Sequence, residues 1–308
     1  MSVSLSIVFP VFALIALGWG AGRFRLTGSQ SGAGISEFVL MFAIPAMLFR
    51  TLATAELPSV NPWPFWLAYF LAAALIWGLG MLAAKRLAPG PLAARTVSGF
   101  AAAQGNTVLI GIPLILSMYG EAGKTPMFLL VAVHLPIMVT AASLIVERSL
   151  GASASWPALA VKCFGHPIIL AILAGALTRF LAIPLPEAAI VPLKLLGDAA
   201  PGAALFAMGL SLNLHGFGDN PRLILALSLL KLIAMPALVY ALAFHWFALP
   251  PVWAGVAVLF AACPVGINSY IIAARFEIGV AETSGTITVS TLLSIFTVTA
   301  WVAILQGF

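Results

Sequence analysis

The stretch Gln104-Gly105-Asn106-Thr107-Val108-Leu109-Ile110-Gly111-Ile112-Pro113 decides the fold. It lies inside a long apolar run, yet it holds two glycines, a proline and two side-chain amides. Glycine is a poor helix former, and proline both lacks an N–H and clashes with the preceding turn. In hydrocarbon, backbone groups freed by a helix break are costly unless protein or water satisfies them. A break at this depth therefore predicts a cavity. The pattern recurs further on, as Leu259-Phe260-Ala261-Ala262-Cys263-Pro264-Val265-Gly266-Ile267-Asn268-Ser269. In both places Phe-Ala-Ala (Phe100 and Phe260, about 160 residues apart) precedes helix-breaking residues and then an asparagine. Two broken helices at corresponding positions are the sequence mark of a transporter's binding site.

The composition around these stretches is that of a membrane protein. Of 308 residues, 62% are hydrophobic and 7% charged, against about 25% charged in a soluble domain. The apolar runs are continuous rather than alternating, which excludes an outer-membrane barrel. Cys163 and Cys263 are the only cysteines and both sit in apolar runs, which excludes a disulfide scaffold. The first run lacks a basic start and a cleavage pattern and reads as a true span. Ten spans are expected, at 3–24, 34–53, 62–87, 95–118, 125–147, 157–181, 188–212, 221–247, 252–274 and 281–306.

Lys and Arg are unevenly shared between the two sets of loops. One set holds Arg23, Arg25, Lys85, Arg86, Arg95, Arg148, Lys162, Arg222 and Arg275; the other holds Arg50, Lys124, Arg179 and Lys194. The richer set belongs in the cytoplasm, which places both termini on the non-cytoplasmic side of a cytoplasmic (inner) membrane. The net charge of +5 is thus an orienting charge, and no nucleic-acid partner is expected. Five spans on each side of a short central loop make the second half enter from the opposite face, so two homologous halves form an inverted repeat. The second spans of the halves agree in a proline followed by an apolar turn, at Pro45 and Phe49 and again at Pro201 and Phe206.

Gly105-Asn106-Thr107-Val108-Leu109-Ile110-Gly111-Ile112-Pro113-Leu114, followed by Met118-Tyr119-Gly120, resembles the fourth helix of the auxin efflux carrier family. That family includes the plant PIN-FORMED proteins and bacterial carriers of malonate and malate. Phe42-Ala43-Ile44-Pro45-Ala46-Met47-Leu48-Phe49 is similar to its second helix, and Lys231-Leu232-Ile233-Ala234-Met235-Pro236 to its eighth. The resemblance covers the whole chain. It implies an all-α integral membrane fold of ten helices in two inverted five-helix repeats, 1–148 and 157–308, joined by a central loop at 149–156. Helices 1, 2, 6 and 7 would form a scaffold, and helices 3–5 and 8–10 a mobile transport domain. The broken helices 4 and 9 would cross near Ile112-Pro113 and Cys263-Pro264. Plant members carry a long central loop; here it is short, so regulation by phosphorylation of that loop is not expected.

The expected activity is secondary transport of small organic anions by an elevator-like alternation. Gln104, Asn106, Thr107, Ile112, Pro113, Pro264, Val265, Gly266, Asn268 and Ser269 would line the site. Half-helix N-termini there offer bare N–H groups and positive dipole ends, which suit a carboxylate. Pro45, Phe49, Pro201 and Phe206 would face the site from the scaffold. Lys231, inside span 8, either holds an anion or pairs with an acid such as Asp198; snorkelling is its bland reading. Asp198 stands where span 7 is open to a break, as a proton or sodium site, a partner of Lys194, or an interfacial residue. His134 is either a proton relay or a hydrogen bonder between helices, and His166 is interfacial. Gly18-Trp19-Gly20-Ala21-Gly22 offers a small-xxx-small packing face. Trp63, Trp66, Tyr119 and Trp253 read as interface anchors. A homodimer fits the related folds, and a proton or sodium is the candidate coupling ion. The alternative is a cation/proton antiporter, which would want an acid at the crossing, where neither broken helix has one. A receptor that binds without flux is a third reading. No metal-ligand cluster, nucleophile–base pair or phosphate loop appears, so neither a cofactor nor an enzyme is expected.

Overall fold

The architecture is described from a computed structural model for residues 2–28, 30–54, 60–151, 165, 167–214 and 216–307. Among these residues the chain is helical with no strand. The central loop beyond residue 151, the start of the sixth span, Lys162, Cys163 and His166 lie outside the described residues. The helices are α1 Ser2–Arg23, α2 Ser31–Phe38, α3 Ile44–Thr54, α4 Trp63–Leu87, α5 Leu92–Ala103, α6 Ile112–Tyr119, α7 Lys124–Ser149 and α8 Pro167–Phe180. They continue as α9 Glu187–Leu212, α10 Pro221–Leu229, α11 Met235–Tyr240, α12 Pro251–Ala262, α13 Ile267–Phe276 and α14 Val280–Leu305. Seven helical stretches among the described residues are long and apolar enough to cross a membrane, and α8 and α12 are shorter apolar helices. This is a multi-pass integral membrane protein. The fourth and ninth expected spans are not single helices: each is interrupted, between α5 and α6 and between α12 and α13.

Among the prolines that sit in helical runs without ending them, three follow π turns. Each follows a five-residue π turn by two positions: Val39–Ala43 before Pro45, Thr107–Gly111 before Pro113, and Leu230–Ala234 before Pro236. A π turn widens the helix by one residue and so takes up the hydrogen bond that the proline cannot make. The chain therefore continues through these prolines. Pro201 lies inside an unbroken α9 of 26 residues, so the break anticipated near Asp198 is absent.

The helices group into two compact units, one comprising Met1–Pro10, Asn61–Ala154 and Leu214–Phe308, the other Val11–Val60 and Ser155–Asn213. In the larger unit α4 lies on α5, and a Cβ on Gly99 would come 2.5 Å from the Trp77 carbonyl oxygen, so only glycine permits the approach. The Trp77 indole donates to the Thr96 carbonyl at 3.2 Å across the same seam. Along α14, the buried hydroxyls of Thr286, Thr288, Ser290, Thr291 and Ser294 bond back to carbonyls of the preceding turn. That arrangement satisfies a polar helix face without water. In the smaller unit, Gly18 and Gly209 let α1 lie against α9, which is how the small-residue stripe at the chain's start is used. Gly175 brings α8 onto α3 at Phe49, and Gly197 brings α9 onto α3 at Met47.

The tryptophans expected as interface anchors divide. Trp63 is exposed, whereas Trp253 is buried edge-on against Phe65 with ring centroids 5.3 Å apart. Trp66 donates its indole N–H to the Leu129 carbonyl at 3.1 Å, and the Tyr119 hydroxyl fills the space over Gly255. These three tie helices to one another.

Gly99→Val should destabilise the larger unit by about 1–3 kcal/mol, as overpacking does, seen as a lower thermal midpoint in detergent. Gly78→Ala, where an added Cβ meets nothing within 4 Å, should not lower the midpoint and should raise it by the equivalent of up to about 1 kcal/mol of helix propensity.

Candidate functional site

Both helix breaks lie in the larger unit, and each satisfies the other. α5 ends at Ala103, and Gln104-Gly105-Asn106 runs extended; α12 ends at Ala262, and Cys263-Pro264-Val265-Gly266 runs extended. Gly105 and Val265 form an isolated antiparallel bridge. The Asn106 N–H donates to the Pro264 carbonyl at 2.7 Å, and the Gly266 N–H to the Gln104 carbonyl at 2.9 Å. Two backbones can come this close because Gly266 has no side chain: a Cβ there would meet the Gly105 carbonyl oxygen at 2.6 Å. The Val265 N–H donates to the Ser290 hydroxyl of α14 at 3.0 Å. The crossing is thus at Gly105 and Val265. Ile112 and Pro113, where the crossing was expected, lie one to two turns further on. They are buried at the start of α6, beyond the π turn that absorbs the proline.

Four helix ends meet here, two carbonyl ends and two N–H ends. The carbonyl end of α12 is held by Lys231, whose ammonium donates to the Ala261 carbonyl at 2.5 Å and lies 3.3 Å from the Met235 sulfur. Lys231 is fully buried, and a Cβ on Gly105 would come 3.2 Å from its Nζ. Neither pairing with Asp198 nor snorkelling describes it. Asp198 instead bonds Lys194 at 2.7 Å and lies 3.7 Å from Arg50, within the smaller unit. A cation against helix carbonyls complements the dipole, and the sequence places no Asp or Glu in 104–113 or 263–269.

The N–H ends differ from each other. The Asn106 carbonyl side chain accepts from the Leu109 N–H at 3.3 Å and so caps the π turn, a structural duty beyond the binding role expected of it. Gly266 precedes α13 and supplies no capping side chain, so the first N–H groups of α13 have no cap of that kind. Two buried polar groups beside the crossing are unpartnered: both amide atoms of Gln104 and the hydroxyl of Ser269. Such groups carry a real free-energy cost unless something bonds them. Thr107, Pro264 and Val265 are buried at the same place, and Asn268 is half-buried.

The structure therefore gathers Gln104, Asn106, Thr107, Pro264, Val265, Gly266, Asn268 and Ser269 around one crossing. Pro45, Phe49, Pro201 and Phe206 fall in the smaller unit, all half-buried. His134 is buried among Tyr69, Phe70 and Phe260, with ring centroids 5.3, 6.5 and 5.1 Å away, and its Nε2 has no partner, so it does not bridge helices through that atom. Sequence reasoning missed Ser290 as the support of the second break. Its signal was faint, one hydroxyl in a Ser/Thr-rich span. Among the described residues no group of three or more His, Cys, Asp or Glu could hold a metal ion.

The model of a family described as membrane transport protein matches residues 3–302. The chain belongs to this family, the auxin efflux carrier family of membrane transporters. It is 29% identical to a Rhizobium meliloti (strain 1021) protein named "Putative malonate transporter", over all of this chain and 97% of that one. It is 23% identical to "Uncharacterized transporter YfdV" of Escherichia coli (strain K12), over 96% of this chain and 95% of that one. Auxin efflux carrier component 3 of Arabidopsis thaliana is 28% identical over 44% of this chain and 21% of its own length.

Removing one partner of a buried hydrogen bond leaves the other unsatisfied, at a cost of about 1–3 kcal/mol. Lys231→Met leaves the Ala261 carbonyl without its donor, so it should melt lower than the native protein in detergent and lose any stabilisation by added carboxylates. An unchanged midpoint would mean that the carbonyl end of α12 does not depend on Lys231.

Proposed function

We propose that this transporter carries small organic anions, dicarboxylates such as malonate among them, across the cytoplasmic membrane. The observation that carries the reading is the unpartnered polar lining of the crossing: the Gln104 amide and the Ser269 hydroxyl, beside the uncapped N–H end of α13. N–H groups, a hydroxyl and an amide donate to a carboxylate, and the dipole of α13 favours negative charge at that end. The Lys231 ammonium lies 3.2 Å from the point that a Gly105 Cβ would occupy, a positive charge beside the crossing. An anion bound at the crossing would meet that positive field. The lack of acids in both breaks disfavours a cation substrate. The malonate named for the Rhizobium meliloti relative is the natural first candidate.

Movement is proposed as elevator-like alternating access, with the unit that holds both breaks as the transport domain and the other as scaffold. The crossing suits such a role: its backbone bonds are internal to one unit, so the site moves without being taken apart. Two inverted five-helix repeats, termini on the non-cytoplasmic side, a homodimer, and proton or sodium coupling belong to the same proposal.

Uptake of radiolabelled malonate into proteoliposomes tests it. Hydrogen bonds to a charged group are worth about 1.5–3 kcal/mol, so Gln104→Leu and Ser269→Ala should each lower the initial rate by roughly tenfold or more at subsaturating substrate. Both variants should keep the native thermal midpoint, since each removes an unsatisfied buried group. Uptake that ignores both substitutions would remove the crossing from the site.

A further inference from the structure

A cavity lies away from the crossing, within the larger unit. It has a volume of about 610 Å³ and runs between α4 and α7. Phe70, Ala74, Gly78 and Met81 line one wall, and Ile137, Ala141 and Ile145 the other. Both helices pack on α5 and α12 rather than closely on each other, which leaves the slot. Its wall is almost wholly apolar, and small residues keep it open: a Cβ on Gly78 would meet nothing within 4 Å.

The slot has a length and a charged end. From Phe70 to Met81 a helix rises about 17 Å, close to the ~15 Å depth of one leaflet's hydrocarbon. One turn beyond Met81 on the same helix face stands Lys85, with Arg86 beside it, and one turn beyond Ile145 stands Arg148. All three are exposed, and none forms an ion pair among the described residues. Glu147, the nearest acid in sequence, is already bonded to Arg275 at 2.9 Å. The apolar slot thus ends in unneutralised positive charge at a single end, the end whose loops carry the excess of Lys and Arg.

We propose that this slot binds one acyl chain of an anionic phospholipid, with the headgroup phosphate on Lys85, Arg86 and Arg148. An apolar chain alone would fill the groove from any lipid. The basic end adds a preference for negative headgroups, since each Lys or Arg near the surface attracts them. The site is separate from the crossing and does not rest on the substrate reading. A bound lipid there would wedge α4 and α7 apart at a fixed distance.

Native mass spectrometry of the full chain in mild detergent tests this, with phosphatidylglycerol and phosphatidylcholine of identical acyl chains. The native protein should retain one phosphatidylglycerol in preference to phosphatidylcholine by roughly fivefold or more, the factor one basic group gives at a membrane surface. Lys85→Gln/Arg86→Gln/Arg148→Gln should abolish the preference while leaving weak retention of both lipids. Gly78→Leu, at a position where an added Cβ meets nothing within 4 Å, should abolish retention of either, and Ala74→Phe serves as a second filling variant. Equal retention of the two lipids by the native chain overturns the proposal. So does a preference that survives slot filling, or a native dimer that the filling variants convert to monomer, which would make a second copy the occupant.

Discussion

Two backbone hydrogen bonds, Asn106 N–H to Pro264 C=O and Gly266 N–H to Gln104 C=O, are the constraint on which the rest of the structure depends. A helix broken in the middle of a membrane leaves donors and acceptors that lipid cannot satisfy. Here each break is the other's partner. Neither could exist alone at low cost, so the two halves of the sequence must both carry one. The requirement extends to side chains. Gly266 has to be glycine for the two extended segments to touch, Ser290 has to be present to take the Val265 N–H, and Lys231 takes the Ala261 carbonyl.

The electrostatics follow from the same geometry. A crossing of two broken helices brings together two positive and two negative dipole ends. Lys231 answers the carbonyl end of α12, and the Asn106 side chain closes one N–H end. What is left over is the carbonyl end of α5 and the N–H end of α13, with the Ser269 hydroxyl and the Gln104 amide beside them. The N–H end of α13 is the donor part of that remainder, and it sits where water is scarce and each unmade bond counts for more. The proposed carboxylate is the chemical complement of that donor end.

Much of this was legible in the sequence. Continuous apolar runs gave the membrane class, and glycine with proline at two corresponding positions marked both breaks. The exact place of the first break was not legible, because Gly105 and Pro113 both disfavour a helix and the family resemblance put the crossing at Pro113. The structure reverses this: a π turn absorbs Pro113, as others absorb Pro45 and Pro236, while Gln104-Gly105-Asn106 unwinds because Pro264 and Gly266 offer it partners. A residue's effect on a helix depends here on a neighbour about 160 positions away, which no local rule contains. Lys231 was visible as an intramembrane charge, but its partner is a backbone carbonyl, and carbonyls carry no sequence signal. Asp198 was visible too, and its pairing with Lys194 one turn earlier is the kind of contact that spacing does reveal.

The central claim is that the crossing of the two broken helices is an anion site. An electron cryomicroscopy map of the purified protein with saturating malonate tests it most directly. The account predicts ligand density against the Gln104 amide, the Ser269 hydroxyl and the first turn of α13, with the Gly105–Val265 bridge intact. Density elsewhere in the protein, or a fourth span that runs unbroken through Gly105, would contradict it.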